Sequence, residues 1–158
     1  MVKPFKALEI GTFEGASSIA IAKALEANKQ GMLWTYDIAD FDQKKFIAKA
    51  GLTERVICTI DDAKNILTKL SINAGTEGMF EMAFIDDGHS FEDATRDLNI
   101  CHKLVTKFGY ILGHDIHSTP SVNDAYEAFL GKYGHLYERL VVASYCGLFI
   151  LKRIAWKT

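Results

Sequence analysis

The chain has 158 residues, enough for one compact domain with a buried core. Its 49% apolar and 24% charged residues are ordinary for a globular protein, and a net charge of −2 supplies no basic face for nucleic acid or an anionic membrane. No apolar run reaches bilayer length, and the start Met1-Val2-Lys3-Pro4-Phe5-Lys6 lacks the apolar core and cleavage site of a signal peptide, so a cytoplasmic location is expected.

Lys6 to Ile10 reads as the first strand. The helix after it, from about Gly15 to Asn28, is apolar on more than one side, as a helix on a central parallel sheet should be. Met32 to Tyr36 is the second strand and ends at Asp37. Asp40 and Gln43 have capping-box spacing, Phe46, Ile47 and Ala50 give the next helix its stripe, and Gly51 stops it. Arg55 to Ile60 is a β-branched third strand, followed by Asp61-Asp62 and a helix carrying Ile66, Leu67 and Leu70, which runs to a loop marked by Gly75 and Gly78. Phe80 to Ile85 is the fourth strand, ending in Asp86-Asp87-Gly88-His89. Ser90 and Asp93 cap a helix with the stripe Phe91, Ala94, Leu98, Cys101 and Val105. Gly109 to Gly113 is the fifth strand, ending in His114-Asp115, and Pro120 opens a helix with Val122, Ala125, Tyr126 and Phe129 inward. Leu140 to Tyr145 and Gly147 to Leu151 close the chain as an antiparallel pair.

Five strand–helix units and a hairpin predict a doubly wound α/β sheet, Rossmann-like, seven-stranded and mostly parallel, in a single domain over residues 1–158. Glu9, Asp37, Asp62, Asp86, His89, His114 and Asp115 all fall at or just past C-terminal strand ends, where open α/β sheets bind ligands. The three cysteines, Cys58, Cys101 and Cys146, are an odd count without metal-type spacing and read as reduced, buried thiols. His102 reads as the polar edge of a helix, His135 as a surface loop, and His117 as a minor candidate for substrate contact.

The first turn spells Glu9-x-Gly11-x-x-x-Gly15 rather than G-x-G-x-x-G. An acidic residue before the turn suits a ligand with ammonium and hydroxyl donors better than a pyrophosphate, and Asp37 is placed for two ribose hydroxyls. By themselves two glycines at that spacing only permit a tight turn, and Asp-Gly is ordinary turn chemistry. Two carboxylates and an imidazole at one strand end nonetheless call for a cation. Asp86, His114 and Asp115 offer mixed oxygen and nitrogen donors for Mg²⁺, Mn²⁺ or Fe²⁺, which leaves His89 as a general base suited to neutral pH. Most aromatic residues read as core, and Phe13, inside the first turn, is the exception.

From Leu8 to about Leu151 the chain resembles class I S-adenosylmethionine-dependent methyltransferases, more narrowly the metal-dependent small-molecule O-methyltransferases of the catechol, macrolide-sugar and cephalosporin-hydroxylase-like group. Leu8 to Ser18 is similar to that family's first motif, with Glu9, Gly11, Phe13, Gly15 and Ser17 about the cofactor and Ser17 where the methionine carboxylate is held. The resemblance puts Asp37 at the ribose and Asp62-Ala63 at the adenine. It puts Asp86 at the metal and cofactor end, His89 at the base, and His114-Asp115 at the second metal pair, with His replacing the usual first ligand. It implies methyl transfer from S-adenosylmethionine to a small-molecule hydroxyl, with a divalent metal and His89 assisting, and leaves a homo-oligomer open. Only about seven residues precede Leu8, so the resemblance assigns the acceptor pocket to loops 38–45 and 114–121, to segment 131–138, or to a partner subunit. Three other readings stand beside it: a cofactor-binding regulatory module, another metal-assisted reaction on the same scaffold, and a nicotinamide dehydrogenase, which the glycine spacing disfavours.

Overall fold

The computed structural model describes residues 3–73 and 78–155; Gly75 and the first two residues of the N-terminus lie outside them. Strands and helices alternate as β1 (Lys6–Ile10), α1 (Ala16–Ala27), β2 (Met32–Asp37), α2 (Gln43–Lys49), β3 (Val56–Ile60), α3 (Ala63–Asn73), β4 (Phe80–Ile85), α4 (Phe91–Leu104), β5 (Val105–His114) and α5 (Pro120–Tyr133). A 3₁₀ turn over Gly134–Leu136 leads to β6 (Tyr137–Val142) and β7 (Leu148–Arg153). The seven strands form one sheet in the order β3-β2-β1-β4-β5-β7-β6. β7 runs antiparallel to both neighbours, and the pairs from β3 to β5 are parallel. The chain steps from β1 outward to β2 and β3, then returns to place β4 against the other side of β1. The ends of β1 and β4 are therefore the point where the winding reverses and a crevice opens.

Alternation along the strands divides the core between two faces. Ala7 and Leu33 face Ala22, Leu25 and Ile47 of α1 and α2. Leu8, Ile10, Ala83 and Ile111 face a larger cluster fed by α3, α4 and α5. Residues 7–10 of β1 are all buried, as expected for a central strand covered on both faces.

Several local expectations change. The cap of α2 is Asp42 with φ 61°, not Asp40, and it makes no side-chain cap bond. Gln43 instead folds back, accepting from the Phe41 N–H at 2.6 Å and donating to the Ala39 carbonyl at 2.8 Å, so it is buried and closes the 38–43 loop. Ser90 does cap α4, accepting from the Asp93 N–H at 3.0 Å, but Phe91 stands exposed. β5 begins at Val105, four residues early, because α4 passes straight into the strand and an irregularity between Phe80 and Met82 absorbs the register change. The hairpin starts at Tyr137 and ends at Arg153 because both ends are tied to α4. Tyr137 Oη lies 2.8 Å from His102 Nδ1, and the Arg153 guanidinium donates to the His102 and Val105 carbonyls at 2.6 and 2.9 Å. His102 is therefore buried, stacked on Tyr133 at 4.0 Å, and not at a polar edge. Segment 131–138 packs into this aromatic cluster rather than toward the crevice. Of the three free cysteines, only Cys101 is buried; Cys58 and Cys146 are half-buried.

Candidate functional site

The turn after β1 sets the geometry of the crevice. Gly11 donates its N–H to the Tyr36 carbonyl at 2.9 Å and adopts φ +93°. A Cβ there would lie 2.1 Å from the Asp86 carbonyl oxygen, so only glycine lets the β1 turn pass the end of β4 this closely. Glu9 points the other way and is wholly buried. Its Oε2 accepts from the Ser18 and Thr35 hydroxyls, while Oε1 has no partner among the described residues. Burial pushes its carboxyl up, against hydrogen bonds from Ser18, Thr35 and Ser17. Glu9 thus ties β1 to β2 and α1 behind the crevice and does not line it, and Gly15 serves as the cap of α1.

Asp37 closes the opposite wall. Its Oδ2 accepts the Thr12 and Phe13 N–H groups at 3.0 and 2.7 Å, and its Oδ1 accepts from Ala39 at 3.1 Å. These bonds hold Phe13 at φ 46°, a strained conformation for an aromatic residue. The Phe13 ring projects outward, 59% exposed, and meets Phe41 with centroids 4.9 Å apart. Between these walls lies a cleft of about 580 Å³, lined by Asp37, Ser17 and the Phe13–Phe41 pair at one side and by Asp86, Asp87 and His89 at the other. Past Asp37 it is continued by a recess of about 220 Å³ bounded by Asp62, Ala63, Asp87 and Arg96.

At the far end, two strand ends bring carboxylates and imidazoles together. Asp86 follows β4, His114 ends β5, and Asp115 comes directly after it. Asp115 sits at φ 63°, a left-handed backbone conformation uncommon outside glycine. His89 Nε2 lies 2.7 Å from Asp115 Oδ2, and His114 Nδ1 lies 3.3 Å from the same oxygen and 3.6 Å from Asp86 Oδ1. Ser118 donates to Asp115 Oδ1 at 2.6 Å, and Ser121 donates to the His89 carbonyl at 2.5 Å, fixing the loop to α5. Burial raises the Asp86 and Asp87 carboxyls above their ordinary range. Burial acts on Asp115 in the same direction, but hydrogen bonds from Ser118 and His89 and the charge of His114 together hold it low. Ligand atoms of Asp86, His89 and Asp115 all lie within 4.8 Å of one another.

Of the residues singled out from the sequence, Gly11, Phe13, Ser17, Asp37, Asp86 and His89 share the main cleft, and Asp62 and Ala63 border its recess. His114 and Asp115 stand at its end, whereas Glu9 and Gly15 lie behind it. Thr12 and Ala16 line the cleft without having been singled out from the sequence, whereas Ile38 and Phe41 belong to the 38–45 loop expected at the acceptor pocket and Asp87 to the strand-end cluster. Within that loop Phe41 carries no linear signal of its own, because only closure by Gln43 delivers it.

A family described as a methyltransferase domain matches residues 8–116. The chain is 30% identical over 122 residues to a caffeoyl-CoA O-methyltransferase from Stellaria longipes, covering 72% of this chain and 46% of that protein. It thus spans about half the length of the curated relative it matches. Among solved structures it is similar to the O-methyltransferase of tomaymycin synthesis from Streptomyces achromogenes in complex with SAM, with 20% identity and TM-score 0.78 over 97% of this chain and 74% of that one. An O-methyltransferase from Bacillus cereus in complex with SAH gives 18% identity and TM-score 0.78 over 96% and 75%.

Proposed function

The chain belongs to the methyltransferase-domain family, and from that premise we propose that it transfers the methyl group of S-adenosylmethionine to a hydroxyl oxygen of a small molecule. One observation carries the proposal: a single cleft runs from Asp37 to the Asp86–His89 loop, directly at the winding reversal of the sheet. Its size is within the range of small-molecule sites.

The cleft's chemistry fits the cofactor. Asp37 Oδ2 is taken up by two backbone N–H groups, while Oδ1 accepts one and keeps a second lone pair, so the carboxylate is pre-oriented with Oδ1 open to a ribose hydroxyl. Ile38 and Phe41 offer an apolar wall, and Asp62 and Ala63 border the recess where a base would lie. Ser17 is placed for a polar amino-acid end, and Asp86 and Asp87 bring negative charge to the side where a sulfonium would stand. S-adenosylmethionine supplies an electrophilic methyl group and requires no protein nucleophile. The protein's part is to hold two reactants in line and manage one proton.

His89 is the catalytic residue in this reading. With Nε2–H donated to Asp115, Nδ1 carries the free lone pair and takes the acceptor's proton. Asp115 fixes the ring and favours the imidazolium that results. Asp86, His114 and Asp115 also fit a divalent cation. Their donor atoms lie 3.3 to 3.6 Å apart in the two histidine–carboxylate pairs, and the burial that raises the Asp86 and Asp87 carboxyls would be offset by a cation. When bound, such a cation supplies Lewis-acid polarisation of the acceptor oxygen. Free thiols at Cys58, Cys101 and Cys146 support a reducing, cytoplasmic location.

The test is methyl transfer from labelled S-adenosylmethionine to a panel of phenols and vicinal diols, with and without EDTA, beside calorimetry with S-adenosylhomocysteine. Labelled ether product and micromolar-or-better binding are expected. Absence of S-adenosylhomocysteine binding overturns the reading.

A further inference from the structure

The connection between β6 and β7 folds back over the end of β5. The Cys146 carbonyl accepts the His117 N–H at 2.9 Å and the Ser118 N–H at 3.3 Å, and the Gly147 N–H donates to Ser144 Oγ at 3.0 Å. At Gly147, φ +75°, a Cβ would fall 2.6 Å from both the His117 ring and the Ile116 side chain. The turn is therefore clamped against segment 114–118 with no slack. Its consequence is chemical: the Cys146 thiol, a ring nitrogen of His114 and a carboxylate oxygen of Asp115 all lie within 4.8 Å of one another. Asp115 is shared by two such sets of donors, His114–Asp115–Cys146 and Asp86–His89–Asp115, and His114 Nδ1 also lies 3.6 Å from Asp86 Oδ1.

We propose that Cys146 is a further ligand of the cation centre, and that the centre takes a thiophilic divalent ion of the zinc class in preference to Mg²⁺. The inference rests on reading Asp86, His114 and Asp115 as a cation site and adds what selects the ion. Carboxylates alone favour hard cations; an imidazole admits borderline ones, and a thiolate tips the set toward Zn²⁺ and Co²⁺. Sulfur and nitrogen donors around one tetrahedral ion stand about 3.5 Å apart, so metal binding requires the Cys146 and His114 side chains to close in from their present separation of at most 4.8 Å. Binding forms a metal–sulfur bond and releases the thiol proton to solvent. Cys101 is buried inside α4 and Cys58 lies on β3, so neither takes this place.

The test uses the full chain stripped with EDTA and titrated with Co²⁺. Visible d–d bands report binding, and a near-ultraviolet sulfur-to-cobalt charge-transfer band reports a thiolate ligand. Both are expected in the parent protein and in Cys58→Ser. In Cys146→Ser and Cys146→Ala the charge-transfer band disappears and Co²⁺ affinity falls at least about tenfold, since even outer partners of metal ligands carry about 10- to 100-fold. Zn²⁺ at stoichiometric amounts bleaches the cobalt spectrum and excess Mg²⁺ does not. Overturning results are a parent spectrum without the charge-transfer band, its survival in both Cys146 variants, or equal bleaching by the two ions. S-adenosylhomocysteine binding separates the two readings. Binding without the sulfur band refutes this inference alone, and the band without binding refutes the proposed function alone.

Discussion

Replacing Gly11 by alanine probes the contact on which the cleft depends. The added methyl would sit 2.1 Å from the Asp86 carbonyl oxygen, 2.5 Å from its carbon and 2.9 Å from the Asp87 nitrogen, all backbone atoms that cannot rotate away. Forcing an L-residue to φ +93° costs about 1–2 kcal/mol, and overpacking adds about 1–3 kcal/mol. A stiffer unfolded chain returns less than about 1 kcal/mol. Net of that return the cost is about 1–5 kcal/mol, so at about 2–4 °C per kcal/mol for a chain of this size Tm should fall by about 2–20 °C. Gly51→Ala is the control, because Gly51 also has positive φ (+73°) but nothing within 4 Å of its Cβ position. Its Tm should fall by the strain share less the same return, at most about 8 °C. Scanning calorimetry reads both, and isothermal titration with S-adenosylhomocysteine should show at least about tenfold weaker binding only for Gly11→Ala, as a shift of 1 Å at an aligned site can cost 10²-fold. Equal Tm losses, or parental binding by Gly11→Ala, would refute the close approach of β1 and β4 as the cleft's foundation.

Asp37→Ala strips acceptors from three backbone N–H groups and should lower stability by about 1–3 kcal/mol while weakening S-adenosylhomocysteine binding; unchanged calorimetric affinity would remove Asp37 from the site. His89→Ala should lower methyl transfer by about 10²–10⁴-fold with cofactor affinity kept, so full turnover excludes it as the base. Asp86→Asn should remove any response of activity to EDTA, and an undiminished EDTA effect places the cation elsewhere. Asp97 gives a pH prediction: burial pushes its carboxyl up to about 6, against pairing with Arg96. A folded-state value above the ordinary 3.8 means the folded protein binds the proton more tightly. Stability is therefore lost as pH rises from about 4 to 6, by up to about 3 kcal/mol. Asp97→Asn should gain in Tm over the parent across that window, and a constant gap from pH 4 to 7 would contradict the shift.

The fold was legible because its strands are short apolar runs separated by amphipathic helices, and strand-end carboxylates then converge without any need for coordinates. Expectations failed where distant contacts decide. His102 looks like a helix-edge residue until Tyr133, Tyr137 and Arg153 arrive from residues 30 to 50 positions later. The α2 cap moved from Asp40 to Asp42 because Gln43 bonds back to Ala39 and Phe41. Glu9 directly precedes the β1 turn that borders the cleft, yet strand alternation turns it to the α1 face beside Ser18. Cys146 has no cysteine or histidine partner at a recognisable spacing. It reaches His114 and Asp115 only because the hairpin returns beside β5.

The central claim is that the cleft from Asp37 to His89 holds S-adenosylmethionine with its methyl toward Asp86. A crystal structure with S-adenosylhomocysteine tests it most directly. The account predicts ribose hydroxyls on Asp37, the base in the recess at Asp62 and Ala63, and the sulfur facing the Asp86–His89 loop. Ligand density outside this cleft, with Asp37 contacting only its backbone partners, would contradict it.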